Sequence, residues 1–477
     1  MHSATAGQWQ EDAAQVSGVR AFLAGMEFTR DPIRAVERYH RRFGSAIAFA
    51  YGAPGRPARI RSILLLGPTY NREILTNTDS LRPSGLWSVP GPRGSVQRAM
   101  KFSYVTASGA EHTELARTLG PHLSRPRVDS HFEAIRDITV RGVAGWPVGE
   151  RVDLYSLARQ VGQHAAFTLL FGESDLERVC TFGKQLADYH RANWQFRSYL
   201  RLRIPGMPYE DVLSRAERLR DFVSKWVDER RGCPASQDLR AAFVAHRNGK
   251  GEPLTAEQLA AHLNFLGWAA YETMSSTLSW TVFLLALHPN VHGDLADELA
   301  AAPPVATISQ ERLAALPLLD AVVKEALRLV PPTPMLVWRT IRDWETGSLR
   351  LTRGTRIALS PHVTHRIPEI YPEPRRFRPD RWSRIKPTQY EYLPFGAGPR
   401  RCPGYGFANE FLKVALAAFV PRFRLDASPG VRIDRVYWGI TMPKPGIPVR
   451  LLPQDRSFRP MRATGDIREL VDVDDVS

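Results

Sequence analysis

A glycine- and proline-rich stretch with a single cysteine constrains the fold of this chain more than any other part of it. Residues 395–404 read FGAGPRRCPG, and their glycines and prolines predict a tight loop. An apolar run of helical period follows at residues 405–420. Cys402 is therefore expected beside a helix N-terminus. The helix dipole, together with Arg400 and Arg401, should favour its thiolate over its thiol.

Two interpretations of Cys402 follow from the residues. A free cysteine most often packs as a small buried hydrophobe. A lone thiolate in a glycine-lined loop, however, suits a single axial ligand of haem iron, and Gly398 and Gly404 would let the backbone approach the flat macrocycle. The pattern F-x-x-G-x-R-x-C-x-G is complete from Phe395 to Gly404. It closely resembles the haem-binding loop of the cytochrome P-450 family, and this resemblance implies haem b bound through Cys402.

A second motif lies in the longest helical pattern, residues 255–287, whose centre reads GWAAYET at 267–273. The residues alone favour a surface Glu272 beside a core Thr273, because a glutamate is rarely buried without a partner. The segment is nevertheless similar to the central helix of the P-450 family, with Ala270 in place of the usual glycine. The resemblance implies that Ala269 lies against the cofactor, that Thr273 faces the oxygen pocket and that Glu272 relays protons.

A third and a fourth motif concern charge. Glu325 and Arg328 lie three residues apart in a predicted helix. Considered alone, they would form a solvent-exposed ion pair that contributes little to stability. Arg381 follows in the segment FRPDRW. These residues match the Glu-x-x-Arg helix and a later segment of the same family. The resemblance implies a buried network behind the haem that positions the cysteine loop.

Haem propionates need cations, and three residues match family positions that bind them: His112, Arg339 and Arg400. Taken singly, each could be an ordinary surface cation. The family usually has an arginine four residues after the histidine, where this chain has Ala116. Arg117 is about 100° further round a helix, so we do not assign it this role.

Composition indicates the cellular compartment of the protein and the kind of partner that it binds. The 477 residues carry a net charge of +15 and three widely spaced cysteines, Cys180, Cys233 and Cys402, which favours a reducing cytoplasm over a disulfide framework. We find no apolar run long enough for a transmembrane anchor and no nucleic-acid motif. The basic charge is scattered. It is compatible with a solvated surface, but an acidic electron-transfer partner explains it more economically.

Three further expectations concern organisation. Residues 80–109 form a long loop, either a binding lid or a merely solvated segment. Aromatic residues at 87–104, including Trp87, and at 189–199 suggest a roomy apolar pocket. We divide the chain into an N-terminal extension (1–24), a haem domain (25–455) and a C-terminal tail (456–477), whose acidic end from residue 466 should be mobile.

Together these motifs identify the chain as similar to the cytochromes P-450, with a mainly α fold and small β-sheets. The resemblance implies a monooxygenase that inserts one oxygen atom from O2 into a lipophilic small molecule, such as a terpenoid, fatty acyl or polyketide compound. The chain has no room for a fused reductase, so a separate ferredoxin or flavodoxin should supply electrons. The alternatives are a haem-thiolate peroxygenase or rearranging enzyme, and a non-catalytic haem or lipophile carrier.

Overall fold

The structure is a computed structural model that describes residues 13–51, 59–84, 89–229, 238–427, 430–444 and 446–473. Trp87 and Cys233, both named above, lie outside these ranges. Within them the chain is mainly helical with small β-sheets, as the sequence predicts. No helix in these ranges combines the length and the apolar character needed to cross a membrane.

The α-helices are the largest class of secondary structure among the described residues. They are α1 (Gly18–Arg30), α2 (Pro32–Phe43), α3 (Pro68–Thr76), α4 (Val96–Ala99), α5 (Gly109–Leu123), α6 (Arg125–Ser130), α7 (Phe132–Ala144), α8 (Leu154–Phe171), α9 (Leu176–Asn193), α10 (Pro208–Asp228), α11 (Leu239–Ala245), α12 (Ala256–Leu287), α13 (Pro289–Ala300), α14 (Gln310–Ala314), α15 (Pro317–Leu329), α16 (Pro361–Thr364) and α17 (Tyr405–Phe419). Short 3-10 turns occur at Phe196–Leu200, Pro379–Ser383, Gly398–Arg400 and Asp466–Glu469.

The strands are short. They are β1 (Ala14–Ser17), β2 (Ala46–Tyr51), β3 (Arg59–Leu65), β4 (Leu81–Pro83), β5 (Arg151–Asp153), β6 (Leu336–Thr340), β7 (Trp344–Thr346), β8 (Leu349–Leu351), β9 (Arg356–Leu359), β10 (Phe423–Asp426), β11 (Val431–Arg432), β12 (Asp434–Tyr437), β13 (Thr441–Lys444), β14 (Pro448–Pro453) and β15 (Ala463–Thr464). The largest sheet has the order β1-β2-β3-β9-β6-β4, and a smaller one has the order β10-β14-β5.

Helix α12 is the central element of the main hydrophobic core and is buried on nearly every side. Its N-terminus carries a complete capping box: the Thr255 hydroxyl accepts from the Gln258 N–H, and the Gln258 side chain accepts from the Thr255 N–H. A helix that is apolar all round belongs inside a large core. Packing of α8 and α17 around it therefore determines where polar side chains of α12 can point.

One expectation about the C-terminal end needs correction. The described part of the segment from residue 466 is packed rather than mobile, because Ile467, Leu470 and Val471 are buried, and β15 just before it pairs with β11. These apolar residues recur at helical spacing, so they have a surface to bury despite the acidic composition around them. At the other end, β1 adds to the largest sheet beside β2. The division into an extension, a domain and a tail remains a prediction.

Residues 80–109 are more regular than a single loop. They contain β4 at the edge of the largest sheet and the short helix α4. Gln97 of α4 is buried and donates to the Asn193 side chain at 2.9 Å, while the Tyr189 hydroxyl donates to Gln97 at 2.9 Å. The segment is thus hydrogen-bonded to α9.

Candidate functional site

The cysteine loop is closed on itself and packed against α3. The Cys402 N–H donates to the Phe395 carbonyl at 2.8 Å. Gly398 has φ +66°, and a Cβ there would lie 2.5 Å from the Leu75 carbonyl oxygen. Gly398 is therefore required by its backbone conformation and by its packing on α3. A Cβ on Gly404, in contrast, would lie 3.9 Å from the Cys402 sulfur, which is an ordinary contact.

The Cys402 side chain is accessible in the folded chain, which excludes the tightly packed structural cysteine. The protein around it nevertheless desolvates the thiol and raises its pKa, although the Gly404 N–H and the Arg401 charge lower it. The Arg401 charge and the loop N–H thus act in the expected direction, and desolvation outweighs them in the chain alone. A bound metal cation is the charge that would hold this sulfur as a thiolate.

The two arginines before Cys402 point to different partners. The Arg401 guanidinium lies 4.2 Å from the Tyr405 ring centroid. Arg400 instead donates to the Ala107 carbonyl at 2.8 Å, and its charge together with burial lowers the pKa of His112 to about 4. The structure therefore brings Arg400 and His112 close together, as an anion site shared between them requires.

Unsatisfied donors indicate that an anionic group fits here. His112 Nε2 is buried without a hydrogen-bond partner among the described residues, and its ring stacks on Tyr104 with centroids 5.0 Å apart. Arg339 Nε is likewise buried and unpartnered in that part of the chain. Buried polar atoms are normally hydrogen-bonded, so each such atom points to an absent group. Haem propionates would satisfy both.

At position 116, where the family usually has an arginine that binds a propionate, this chain has no cation, and its neighbour Arg117 does not share that position on the helix. Ala116 is half-buried on α5, and Arg117 is exposed. We therefore still assign no propionate role to Arg117.

One face of α12 is accessible although the helix is otherwise buried. Phe265, Ala269, Ala270 and Thr273 are all partly exposed in the middle of the helix. Their spacing puts them on one side of the helix. The Thr273 hydroxyl donates to the Ala269 carbonyl at 2.9 Å, one turn back, so its oxygen keeps free lone pairs toward the accessible side.

Glu272 lies on a different face of α12 from Thr273 and is only 1% exposed. The Tyr155 hydroxyl donates to Glu272 Oε1, and Arg159 Nε lies 3.3 Å from Glu272 Oε2. Burial raises the pKa of Glu272, against the lowering effect of the Arg159 charge. Neither Glu272 Oε2 nor Arg159 Nε makes a hydrogen bond within the described residues. The expectation of a surface glutamate from the residues alone is thus wrong.

A glycine on α8 makes this arrangement possible. A Cβ on Gly162 would lie 2.5 Å from Ser275 Oγ and 3.4 Å from the Tyr271 carbonyl oxygen. The close approach of α8 and α12 brings Tyr155 and Arg159 within reach of Glu272. Sequence reasoning missed both partners of Glu272. The one signal that it passed over is a glycine in the middle of a long helical pattern.

Glu325, Arg328 and Arg381 meet in one buried network. Arg328 binds Glu325 bidentately, with Nε and Nη2 each 2.9 Å from a carboxylate oxygen. Arg381 Nε and the Trp382 indole N–H donate to the same carboxylate at 2.9 and 3.1 Å. Glu325 and Arg328 are 0% exposed and Arg381 is 5% exposed. The exposed ion pair considered above is therefore excluded.

This network is connected to the chain that leads into the cysteine loop. Arg328 Nη1 donates to the His365 carbonyl at 2.8 Å, and His365 Nε2 accepts from the Leu393 N–H at 3.0 Å. The Tyr392 hydroxyl donates to the Lys324 carbonyl at 3.1 Å. Residues 392 and 393 immediately precede the loop, so movement of α15 would displace it. Neither His365 nor Tyr392 stood out in the sequence.

Comparison with known proteins identifies a related family. The family model described as cytochrome P450 matches residues 105–451. Putative cytochrome P450 139 of Mycobacterium tuberculosis is 28% identical over 403 residues, covering 81% of this chain and 91% of that protein. Cyclooctat-9-en-7-ol 5-monooxygenase of Streptomyces melanosporofaciens is 27% identical over 390 residues, covering 78% of this chain and 82% of that enzyme.

A solved structure shows the same fold. Cyanobacterial CYP120A1 with retinoic acid bound superposes with a TM-score of 0.77 at 21% identity, over 90% of this chain and 96% of that one.

Proposed function

Because the chain belongs to the cytochrome P450 family and is a monooxygenase, we propose that it hydroxylates or epoxidises a lipophilic small molecule, using electrons from a separate ferredoxin or flavodoxin. The observation that carries this proposal is the accessible Cys402 sulfur in a closed loop, with unsatisfied donors on His112 and Arg339. The family implies a haem held by a cysteine thiolate, and these residues suit that group.

Haem supplies, when bound, the dioxygen chemistry that no side chain of this chain can perform. The protein's own residues would hold it. Cys402 would ligate its iron through the sulfur, and His112, Arg339 and Arg400 would pair with its propionates. Phe395, Gly398 and Gly404 shape the loop.

The network of Glu325, Arg328 and Arg381 has a positioning role in this proposal. Its connections through His365 and Tyr392 would keep the loop at a constant distance from α15. A carboxylate that accepts from several charged donors at once has little freedom to move. The network therefore acts on the position of the sulfur and takes no part in the reaction.

Two residues of α12 would handle protons. The Thr273 hydroxyl donates its hydrogen to the Ala269 carbonyl. The lone pairs of its oxygen therefore stay available on the accessible face, where they can accept from and orient a hydrogen-bond donor. Glu272 can hold a proton at Oε2, the oxygen that lacks a hydrogen bond among the described residues. Its raised pKa favours the protonated form that a general acid needs. Rotation of the Glu272 side chain, or a bridging water, would let a proton pass from Glu272 to the face of α12 that carries Thr273.

The substrate is proposed to be a lipophilic molecule because the accessible face of α12 carries the apolar residues Phe265, Ala269 and Ala270. One relative is named for oxidising cyclooctat-9-en-7-ol. Terpenoid, fatty acyl and polyketide compounds are the classes to screen first, by the shift in the ferric absorption spectrum when a ligand binds.

The absorption spectrum with carbon monoxide tests whether a thiolate binds the haem iron, and turnover assays test whether the protein is a monooxygenase. The reduced, carbon monoxide-treated protein should show the strongly red-shifted haem band of thiolate ligation, and Cys402→Ser should lose it. Retention of that band by Cys402→Ser, or its absence from fresh wild type, contradicts the assignment. Cys180→Ser is the matched control, since Cys180 is an accessible cysteine outside the loop.

The alternatives give different turnover results. A monooxygenase forms product with reductant, a ferredoxin or flavodoxin and dioxygen. A peroxygenase needs only hydrogen peroxide. A rearranging enzyme converts its substrate without any external electron donor. A carrier binds ligands and haem but forms no product under any of these conditions.

A further inference from the structure

The connection between α9 and α10 exposes a short stretch of apolar and basic residues. Residues 200–206 read LRLRIPG, and every one of them is exposed. Leu200, Leu202 and Ile204 are 57%, 44% and 53% exposed, and Arg201 and Arg203 alternate with them. The stretch contains no acidic residue. We call residues 200–206 the basic–apolar segment.

The base of this segment is fixed by hydrogen bonds. Ser198 is buried, and its hydroxyl donates to the Ala192 carbonyl at 2.9 Å and lies 3.4 Å from the Pro208 carbonyl, so it joins the two ends of the connection. The Tyr209 hydroxyl donates to the Pro90 carbonyl at 2.8 Å. The chain is thus held on both sides of the segment, while the side chains of the segment itself remain in contact with solvent.

Leu176, at the start of α9, shows how an exposed apolar side chain differs when its neighbours are acidic. It is 55% exposed, but it lies between Asp175 and Glu177. Single exposed apolar residues of this kind are normal on a protein surface. In the basic–apolar segment, in contrast, the apolar residues are separated only by arginines, so that apolar surface and positive charge lie side by side.

The positive charge of the segment can be redirected to another anion. Arg203 Nε lies 3.7 Å from Glu210 Oε2, and the Arg203 side chain is largely in solvent. Such an ion pair contributes little to stability, so Arg203 can exchange Glu210 for another anion at small cost. Arg201 adds a second positive charge on the other side of Leu202. The net charge of +15 would also attract the chain to an anionic surface from a distance.

The size of the segment favours a lipid surface over a protein partner. A stable protein interface buries about 800 Å² on each partner, from roughly 20–30 residues a side. Far fewer side chains suffice at a bilayer, because apolar ones enter the headgroup boundary and nearby arginines are attracted to anionic lipids. We propose that the basic–apolar segment docks on an anionic lipid bilayer, where Leu200, Leu202 and Ile204 insert and Arg201 and Arg203 bind the phosphates.

Co-sedimentation of the haem-loaded protein with vesicles tests this proposal, which goes beyond the proposed function and does not depend on it. Phosphatidylcholine vesicles with about 30% phosphatidylglycerol should bind the protein about tenfold more tightly than vesicles of phosphatidylcholine alone. Leu202→Ser and Ile204→Ser should each weaken that binding about tenfold. Arg201→Gln and Arg203→Gln should each weaken it about fivefold. Salt at about 1 M should weaken the binding of wild type, because it screens exposed charges.

Leu176→Ser and Arg151→Gln are the matched controls, because they remove an exposed leucine and an exposed arginine outside the segment. Both variants should bind vesicles as wild type does. Haem content and melting temperature should stay at the wild-type values in every variant, since each substituted side chain is exposed. A change in vesicle binding would then report on the surface of the protein and not on its fold.

Several results would overturn the proposal. These are no binding to the phosphatidylglycerol vesicles, equal binding to both kinds of vesicle, or an equal effect of Leu176→Ser and Leu202→Ser. Binding that is lost in Phe22→Ser, at an exposed phenylalanine of α1, but kept in Leu202→Ser would assign the lipid contact to α1 instead. Self-association that Leu202→Ser abolishes, without vesicle binding, would assign the segment to a contact between two copies of the chain. Failure of the proposed function shows separately, in the carbon monoxide spectrum, because co-sedimentation does not depend on that band.

Discussion

Two buried glutamates, Glu325 on α15 and Glu272 on α12, look alike in the sequence and differ in the structure. Both are at most 1% exposed, and both are bound by an arginine. Glu325 accepts from Arg328, Arg381, Trp382 and a backbone N–H, on both of its oxygens. Glu272 accepts from Tyr155 on one oxygen and makes no hydrogen bond with a described residue through the other.

The difference shows that the hydrogen-bond partners of a buried glutamate indicate whether it supports the fold or can take part in a reaction. A carboxylate that accepts hydrogen bonds on both oxygens is held in one place, as a structural support should be. A carboxylate with a raised pKa, whose second oxygen has only the ion pair with Arg159, can exchange a proton more readily. The comparison predicts that the same substitution will have opposite consequences at the two positions.

The largest effect should come from breaking the Glu325 network. Arg381→Ala, or Glu325→Gln, should lower the free energy of unfolding by about 3–5 kcal/mol, because it leaves a buried charge without its partner. Haem incorporation should fall with it. Arg378→Ala is the control, since that half-buried arginine lies on the same segment and its side chain pairs with Asp380 rather than with Glu325. Its effect should stay below about 1 kcal/mol. Normal stability and haem content in Arg381→Ala would show that the network has no supporting role.

The same glutamate-to-glutamine change at Glu272 should preserve the fold and impair the reaction. Turnover with saturating reductant and dioxygen should fall about 100-fold, the lower end of what general acid–base catalysis contributes. Melting temperature and haem content should stay close to wild type, because the amide still accepts from Tyr155. Steady-state kinetics beside calorimetry would measure both. If turnover is unchanged, the carboxyl group is not needed for proton supply.

Glu272 also predicts a pH dependence of stability. Its pKa is raised in the folded protein, so between its ordinary pKa and the raised value the folded state binds more protons than the unfolded state. Wild type should therefore lose stability relative to Glu272→Gln as pH rises above about 4.5. Paired melting curves between pH 5 and 8 would measure the difference. A difference that is flat, or that changes in the opposite direction, would mean that Glu272 is ionised throughout.

A smaller effect should follow from separating α8 and α12. Gly162→Ala places a Cβ 2.5 Å from Ser275 Oγ, so either Ser275 gives up its hydrogen bond to the Tyr271 carbonyl or the helices move apart, at about 1–3 kcal/mol. The shift would also weaken the contacts of Tyr155 and Arg159 with Glu272. Gly120→Ala is the control, because a Cβ there meets nothing within 4 Å and should be neutral or stabilising. Equal denaturation midpoints for both variants would contradict the close-packing argument.

The smallest change in stability should come from Thr273→Ala. It removes one hydrogen bond to the Ala269 carbonyl, which contributes about 1 kcal/mol or less. Product formed per electron should nevertheless fall and hydrogen peroxide should rise, because the acceptor that orients a donor is lost. Thr277→Ala is the control, since Thr277 makes the same kind of bond one turn later. Unchanged coupling in Thr273→Ala would mean that protons arrive through water or substrate.

Much of the fold could be read from the sequence because its signals are local. The capping residue Thr255, the helical period up to Leu287 and the prolines that end α12 and α15 depend on neighbours within a few residues. The motif around Cys402 is equally local. The packed segment at 466–472 was missed because its acidic composition outweighed the apolar spacing of Ile467, Leu470 and Val471.

By itself the sequence determined which residues can form the loop, the long helix and the family motifs, because backbone propensity and spacing act over a few residues. Only the tertiary structure decided which way each charged side chain points. Arg400 and Arg401 are adjacent, yet one binds the Ala107 carbonyl and the other stacks on Tyr405. Glu272 follows the family pattern, but its partners come from α8, more than a hundred residues away. Burial and partner geometry set the pKa of such groups, and both exist only once distant helices have packed.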